Sequence, residues 1–178
     1  MEGLAYLGGK ASVPVFTKAL GSIDKGVRTS AAEGLARARD PKGLPDLQKA
    51  YSVEKDAGAR LALEFAMSAL GNPDYLNDLV NQLSSRTQWD VAQPYLIELA
   101  RMPGFLPKLY PYLQSSSADV RKRLCTVLMF GGDQTSLDQL DRLSHDPNSD
   151  VAAEALQAKS GLRARLAAAG TNGDTNSP

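Results

Sequence analysis

The 178-residue sequence holds little of what usually carries chemistry: one cysteine, one histidine and one tryptophan. A lone thiol, Cys125, excludes an intrachain disulfide, and with it the disulfide frameworks of small secreted domains. A lone histidine, His145, excludes a histidine-rich metal cluster. No apolar run approaches the roughly 18 residues of a membrane span. The opening Met1-Glu2-Gly3-Leu4-Ala5-Tyr6-Leu7 lacks the basic segment and long apolar stretch of a secretion signal. Twenty basic residues balance twenty acidic ones, so no global field draws the chain to nucleic acid or to an anionic membrane. The default reading is a soluble, cytoplasmic chain that meets no membrane and needs no cofactor.

What the sequence does have is repetition. Apolar residues four apart occur at Val27, Ala31 and Leu35, and again at Ala59, Leu63 and Met67. They recur at Val91, Tyr95 and Leu99, at Val120, Leu124 and Leu128, and more weakly at Val151 and Ala155. The steps between first members are 32, 32, 29 and 31 residues. A spacing of four keeps these side chains on one helix face. Upstream of each copy lies a second helical pattern: Val13-Pro14-Val15-Phe16 with Leu20, Leu44-Pro45-Asp46-Leu47 with Tyr51, and Leu76, Leu79, Leu83. It continues as Leu106-Pro107-Lys108-Leu109 with Leu113, and as Leu137, Leu140, Leu143. Two helical patterns in strict alternation predict a repeated antiparallel helix pair.

Turn chemistry divides the pairs. Gly21 to Gly26, Ser115 to Asp119 and His145 to Asp150 supply turn and N-cap residues within pairs. Asp40-Pro41, Gly71-Asn72-Pro73, Met102-Pro103-Gly104 and Gly131-Gly132-Asp133 lie between pairs, where glycine ends one helix and proline opens the next. The predicted pairs are 10–39, 40–71, 72–101, 102–131 and 132–169. Glu2-Gly3-Leu4-Ala5 repeats Glu33-Gly34-Leu35-Ala36 at an offset of 31, so residues 1–9 read as a half repeat, a second helix without its first. Such an end carries no polar cap and offers a face for self-association or for further repeats. Gly170 to Pro178 is polar and of low complexity, the composition of a disordered tail.

The Leu/Val-Pro-x-Leu/Phe of the first helices and the Val-Arg or Ala-Arg of the second, at Val27-Arg28, Ala59-Arg60 and Val120-Arg121, resemble the HEAT repeat. The resemblance is strongest to its short bacterial form, the PBS-lyase HEAT-like repeat. It covers roughly residues 2–160. It implies an all-α fold, a right-handed α-α superhelix of about five antiparallel pairs, with the second helices lining a concave surface. The family often pairs an acidic turn residue with the arginine six positions on; here Glu54 and Arg60 fit both ends, whereas Arg28 and Arg121 have serines upstream.

Few residues invite a catalytic reading. His145 lies in a polar turn. Cys125 follows Arg121-Lys122-Arg123, whose charges favour a thiolate, against the simpler reading of a small packing residue. Gly8-Gly9-Lys10-Ala11-Ser12 faintly resembles a phosphate loop but has no preceding strand. Candidate binding residues are Arg28, Arg60 and Arg121 with Lys122, which form a basic stripe unless each arginine satisfies its own turn. Trp89 joins them because its counterparts are Lys25, Ala57, Ala118 and Ser149, all small or polar. Tyr110 and Tyr112 flank Pro111, which should break a first helix. Pro94 is expected within the first turn of its helix, where proline costs less.

The resemblance implies a non-catalytic scaffold that binds a protein partner along the concave second-helix surface. Two alternatives follow from it: an accessory or lyase-type subunit acting on a chromophore-bearing or other protein, and a nucleic-acid-binding module, which the neutral charge disfavours. On this reading Leu124→Asp or Leu99→Asp unfolds the array, because an unpaired buried charge costs several kcal/mol. Trp89→Ala leaves the melting temperature unchanged. Thermal melts of the three variants check both expectations.

Overall fold

The computed structural model describes residues 9–171; the expected half repeat before Gly9, and residues 172–178 of the expected tail, lie outside them. The fold is an all-α helical-repeat solenoid, with no strand among the described residues. A 3-10 turn, Lys10–Ser12, leads into α1 (Val13–Ala19), followed by α2 (Lys25–Ala38), α3 (Leu44–Val53), α4 (Ala57–Ala69), α5 (Asp74–Asn81) and α6 (Trp89–Ala100). Then come α7 (Leu106–Leu109), a 3-10 segment Tyr110–Gln114, α8 (Ala118–Gly131), α9 (Ser136–Leu143) and α10 (Ser149–Thr171). No described helix is long and apolar enough to cross a membrane. The chain divides into two compact units, Met1–Tyr95 and Leu96–Pro178, with the boundary inside α6.

In the first unit the helices start where the turn chemistry places them. Asp24 caps α2 by accepting from the backbone N–H groups of Gly26 (2.7 Å) and Val27 (3.2 Å). Asp56 caps α4 in the same way through Gly58 and Ala59, both at 3.1 Å. Each cap satisfies N–H groups that the helix itself leaves unpaired. Helix α2 ends at Arg39 in the left-handed conformation (φ 51°), and Gly71 (φ 95°) closes the turn after α4.

Helix α4 is the centre of this unit. It packs on α2, α3 and α5, and every residue from Leu61 to Ser68 is buried. Phe16 of α1 is fully buried against α2. A β-carbon at Gly34 would lie 2.5 Å from the Phe16 ring, so glycine is required for the ring to seat there.

In the second unit, α8 packs on α10, and α9 packs on α10. Proline 111 breaks its helix as expected: α7 stops at Leu109 and the chain tightens into the 3-10 segment. Ser117 caps α8 through the Val120 N–H, and Asn148 accepts from Asp150 and Val151 at the start of α10. Helix α10 runs on to Thr171, beyond the expected end of the repeats at 169.

Most anchor residues read from the repeat are buried, among them Leu35, Leu63, Leu99, Leu124, Leu128 and Ala155, while Val27, Val13, Leu44 and Tyr51 are half-buried and Val15 is exposed. Two readings need correcting. Val91, expected to face inward, is 36% exposed; it is the third residue of α6, in a first turn where Trp89 is half-buried and Asp90 exposed. Pro94 is the sixth residue of α6 and lies inside the helix, so it withdraws an N–H from the Asp90 carbonyl.

Replacing Gly34 by alanine normally gains helix stability, but here the clash with Phe16 decides the sign. Gly34→Ala is expected to cost about 1–3 kcal/mol in urea unfolding, the range of core overpacking. Adding Phe16→Leu should recover part of that loss; a Gly34→Ala variant more stable than the parent would refute the packing argument.

Candidate functional site

Registration of the second helices is as the sequence predicts: Lys25, Ala57, Trp89, Ala118 and Ser149 are each the first residue of theirs. The candidate binding residues divide between the units, with Arg28, Arg60 and Trp89 in the first and Tyr110, Tyr112, Arg121 and Lys122 in the second.

Arg28 does not project free into solvent. Its Nε and Nη2 donate to the two Glu54 oxygens at 2.6 and 2.9 Å, and its Nη1 donates to the Ser22 and Ile23 carbonyls, both at 3.0 Å. Arg121 repeats the arrangement. Its Nε and Nη2 donate to Asp146 at 2.7 and 2.9 Å, and its Nη1 to the Ser115 carbonyl at 2.6 Å. Each guanidinium thus ties its own turn to an acid 26 or 25 residues ahead, in the turn of the following pair. The acids are nearly inaccessible, with side chains 4% and 5% exposed. Bidentate geometry of this kind is the strong form of the ion pair. The basic stripe is therefore neutralised at two of its three arginines.

This also corrects the pairing inferred from the resemblance. Glu54 goes to Arg28 of the preceding turn, not to Arg60. Twenty-six residues beyond Arg60 stands Arg86, a like charge, so Arg60 turns elsewhere. Its guanidinium lies 3.7 Å over the Tyr51 ring, with Nη1 donating to the Tyr51 carbonyl at 3.3 Å.

Arg60 borders a buried carboxyl that the sequence analysis did not single out. Glu64 is 4% exposed. Its Oε1 accepts from the Tyr51 hydroxyl (3.1 Å) and lies 3.9 Å from Arg60 Nε, while Oε2 meets no donor. Burial, reinforced by the charge of Asp78, pushes the Glu64 carboxyl above its ordinary range against the pull of Tyr51 and Arg60. Tyr51 is pushed up to about 12, first by burial and then by the Glu64 charge. A second tyrosine–carboxylate contact spans the second helices. The Tyr95 hydroxyl of α6 donates to Glu33 of α2 at 2.7 Å, and the Tyr95 ring stacks on Phe65 of α4 at 4.6 Å and 9°. An aromatic side chain from α6 thus lies across α4 to reach α2.

Trp89, Lys122, Tyr110 and Tyr112 are half-buried. The Tyr110 hydroxyl is bonded to Thr135 (2.8 Å) and Ser136 (3.2 Å), which ties the 3-10 segment to α9. Cys125 is fully buried, and its thiol is pushed up to about 12, chiefly by burial, despite the neighbouring basic residues. It is a packing residue. His145 is exposed, with Nδ1 3.0 Å from the Asp141 carbonyl. The described residues hold no group of three histidine, cysteine or acidic side chains placed to bind a metal ion.

A family model described as HEAT repeats matches residues 1–68. The match supports a relation to the HEAT-repeat family and spans α1, α2, α3 and all but the last residue of α4. Comparison with curated proteins gives no match.

The bidentate pairs carry a pH signature. The Arg28 guanidinium holds the Glu54 carboxyl below its ordinary 4.5, and Arg121 holds Asp146 below 3.8. The unfolded chain therefore takes up protons first on acidification. The pairs' contribution is full above these ordinary values and is lost as pH falls through the lower folded ones. Glu54→Gln should cost about 1–3 kcal/mol at pH 7, with the loss shrinking toward pH 3 in denaturant melts. An equal loss at both pH values would show that the pair is not the cause.

Proposed function

We propose that the chain is a non-catalytic scaffold that holds a protein partner along the face formed by its second helices. One observation carries this reading: second helices pack directly on one another within each unit, α2 on α4 and α8 on α10. Each unit thereby offers a continuous surface fixed by packing and by bidentate pairs, instead of a deep cleft. Helical-repeat proteins of this kind bind by shape over many residues, and HEAT repeats commonly serve as protein-interaction scaffolds. Half-buried aromatic side chains are suited to such contacts, since they present large apolar area at little entropic cost. Trp89 is the anchor we assign on this face, with Arg60 and Lys122 as polar contacts; Tyr110 and Tyr112 belong to the 3-10 segment that completes a first helix and are not assigned to it. Arg28 and Arg121 act one step back, by fixing the turns from which the second helices start.

Photo-crosslinking amino acids at Trp89, Arg60 and Lys122 test the assignment against the same group at Asp46 and Asp138, exposed positions on first helices. The expected outcome, in lysate of the source cell, is one adduct protein common to the second-helix positions and absent from Asp46 and Asp138. Adducts only from the first-helix positions, or none from any, would overturn it.

A further inference from the structure

A cavity of about 560 Å³ opens in the second unit between the turn after α6, the turn after α8 and the last helix. Its volume is in the range of small-molecule sites. Its apolar walls include Met102, Leu106 and Leu166, and two guanidiniums, Arg101 and Arg165, line it together with Asp133.

The two arginines converge on the C-terminal end of α8. Arg101 donates from Nε and Nη2 to the Phe130 carbonyl, both at 3.2 Å. Arg165 donates from Nε to the Met129 carbonyl at 3.1 Å and from Nη2 to the Gly132 carbonyl. Carbonyl oxygens at a helix end are natural partners for cations, and they fix both side chains in place. They leave the Nη1 group of each guanidinium, with its two N–H donors, without an acceptor among the described residues. Neither arginine has a carboxylate within ion-pair distance among the described residues.

The acid in the cavity wall does not fill that role. Asp133 Oδ1 accepts from the Thr135 backbone N–H at 2.9 Å and from its hydroxyl at 2.6 Å, so it is fastened to its own turn. Burial and the positive charge of Arg101 both hold Arg165 below its ordinary value, with Asp133 only partly opposing them. Two cations against one tethered acid leave the cavity net positive, with oriented donors and apolar walls.

We propose that this cavity binds a small ligand, or a single side chain, carrying one carboxylate or phosphate oxyanion on a short apolar body, with Arg101 and Arg165 Nη1 as its donors. The site belongs to the turns of the second unit, and it does not depend on the second-helix binding surface proposed above.

The test is an NMR titration of the ¹⁵N-labelled full chain at constant ionic strength, with four probes: sodium hexanoate, hexyl phosphate, inorganic phosphate and hexylammonium chloride. The expected result is saturable shifts at the Gly104 and Gly131 amides and the Arg165 Nε–H with the anionic probes and none with hexylammonium. Hexanoate ahead of hexyl phosphate identifies a carboxylate ligand; the reverse order, or response to inorganic phosphate alone, identifies a phosphate. Arg165→Met and Arg101→Met should each weaken binding by about tenfold or more, as loss of a charge-assisted donor does. Arg165 also holds the end of α8, so Arg101→Met, whose side chain is exposed, carries the test if Arg165→Met fails to fold. The proposal is overturned by no saturable shift, by equal response to hexylammonium, or by unchanged affinity in a folded Arg101→Met variant.

Discussion

Everything in the first unit is arranged around the enclosure of α4. A helix pair has one apolar face per helix and cannot bury both alone, so each pair needs a neighbour on either side. Helix α4 meets that condition fully: α2, α3 and α5 pack on it and the Tyr95 ring stacks on its Phe65. The run Leu61-Ala62-Leu63-Glu64-Phe65-Ala66-Met67 is accordingly apolar at all but one place, the pattern of a helix buried all round. The exception is the consequence. Enclosure takes Glu64 out of water, and the Tyr51 hydroxyl and nearby Arg60 are what the fold supplies in return.

Packing sets the distance between neighbouring pairs; the arginine–carboxylate bridges set their register. Arg28 holds two carbonyls of its own turn and a carboxylate of the next, and Arg121 one carbonyl and one carboxylate, so a turn cannot shift without breaking several charge-assisted bonds at once. The link is missing where a pair lacks the forward acid. Arg60 has Arg86, a like charge, at that spacing in the sequence and folds back on Tyr51 instead. The same arginine position is therefore bridged to the next turn in two repeats and turned back on its own pair in a third.

The fold was legible in the sequence because burial periodicity and turn chemistry are local. The four-residue spacing of Leu35, Leu63, Leu99 and Leu124 with their partners, and the capping residues Asp24 and Asp56, each depend on a few adjacent positions. The bridges were not legible by the same means. A spacing of six within one turn pointed from Glu54 to Arg60, whereas the bond joins residues 26 apart across a pair. The offset shared by Arg28–Glu54 and Arg121–Asp146 was present in the sequence, but an offset gains meaning only once the stacking of turns is known. Glu33 and Tyr95, 62 residues apart, carry no periodic signal at all. The same holds for Arg101 and Arg165, which meet only because α10 runs past the end of α8.

The electrostatic consequence bears on recognition. A neutral chain with bare arginines along one face would present a local positive field and favour anionic polymers. Here the bidentate carboxylates cancel that field at Arg28 and Arg121, close to where it arises. What remains accessible at the candidate positions is, in the first unit, the half-exposed area of Trp89 and the Arg60 guanidinium, which lies over Tyr51 and near Glu64, and, in the second, the half-exposed area of Tyr110 and Tyr112 and the charge of Lys122. On the scaffold reading proposed above, such side chains would recognise shape and apolar area, with charge in a directing role. Concentrated positive charge survives instead at the turn-side cavity, where backbone carbonyls rather than carboxylates hold the guanidiniums. A carbonyl fixes a guanidinium in place without cancelling its charge, and this difference in partner separates an arginine that builds the fold from one positioned to bind.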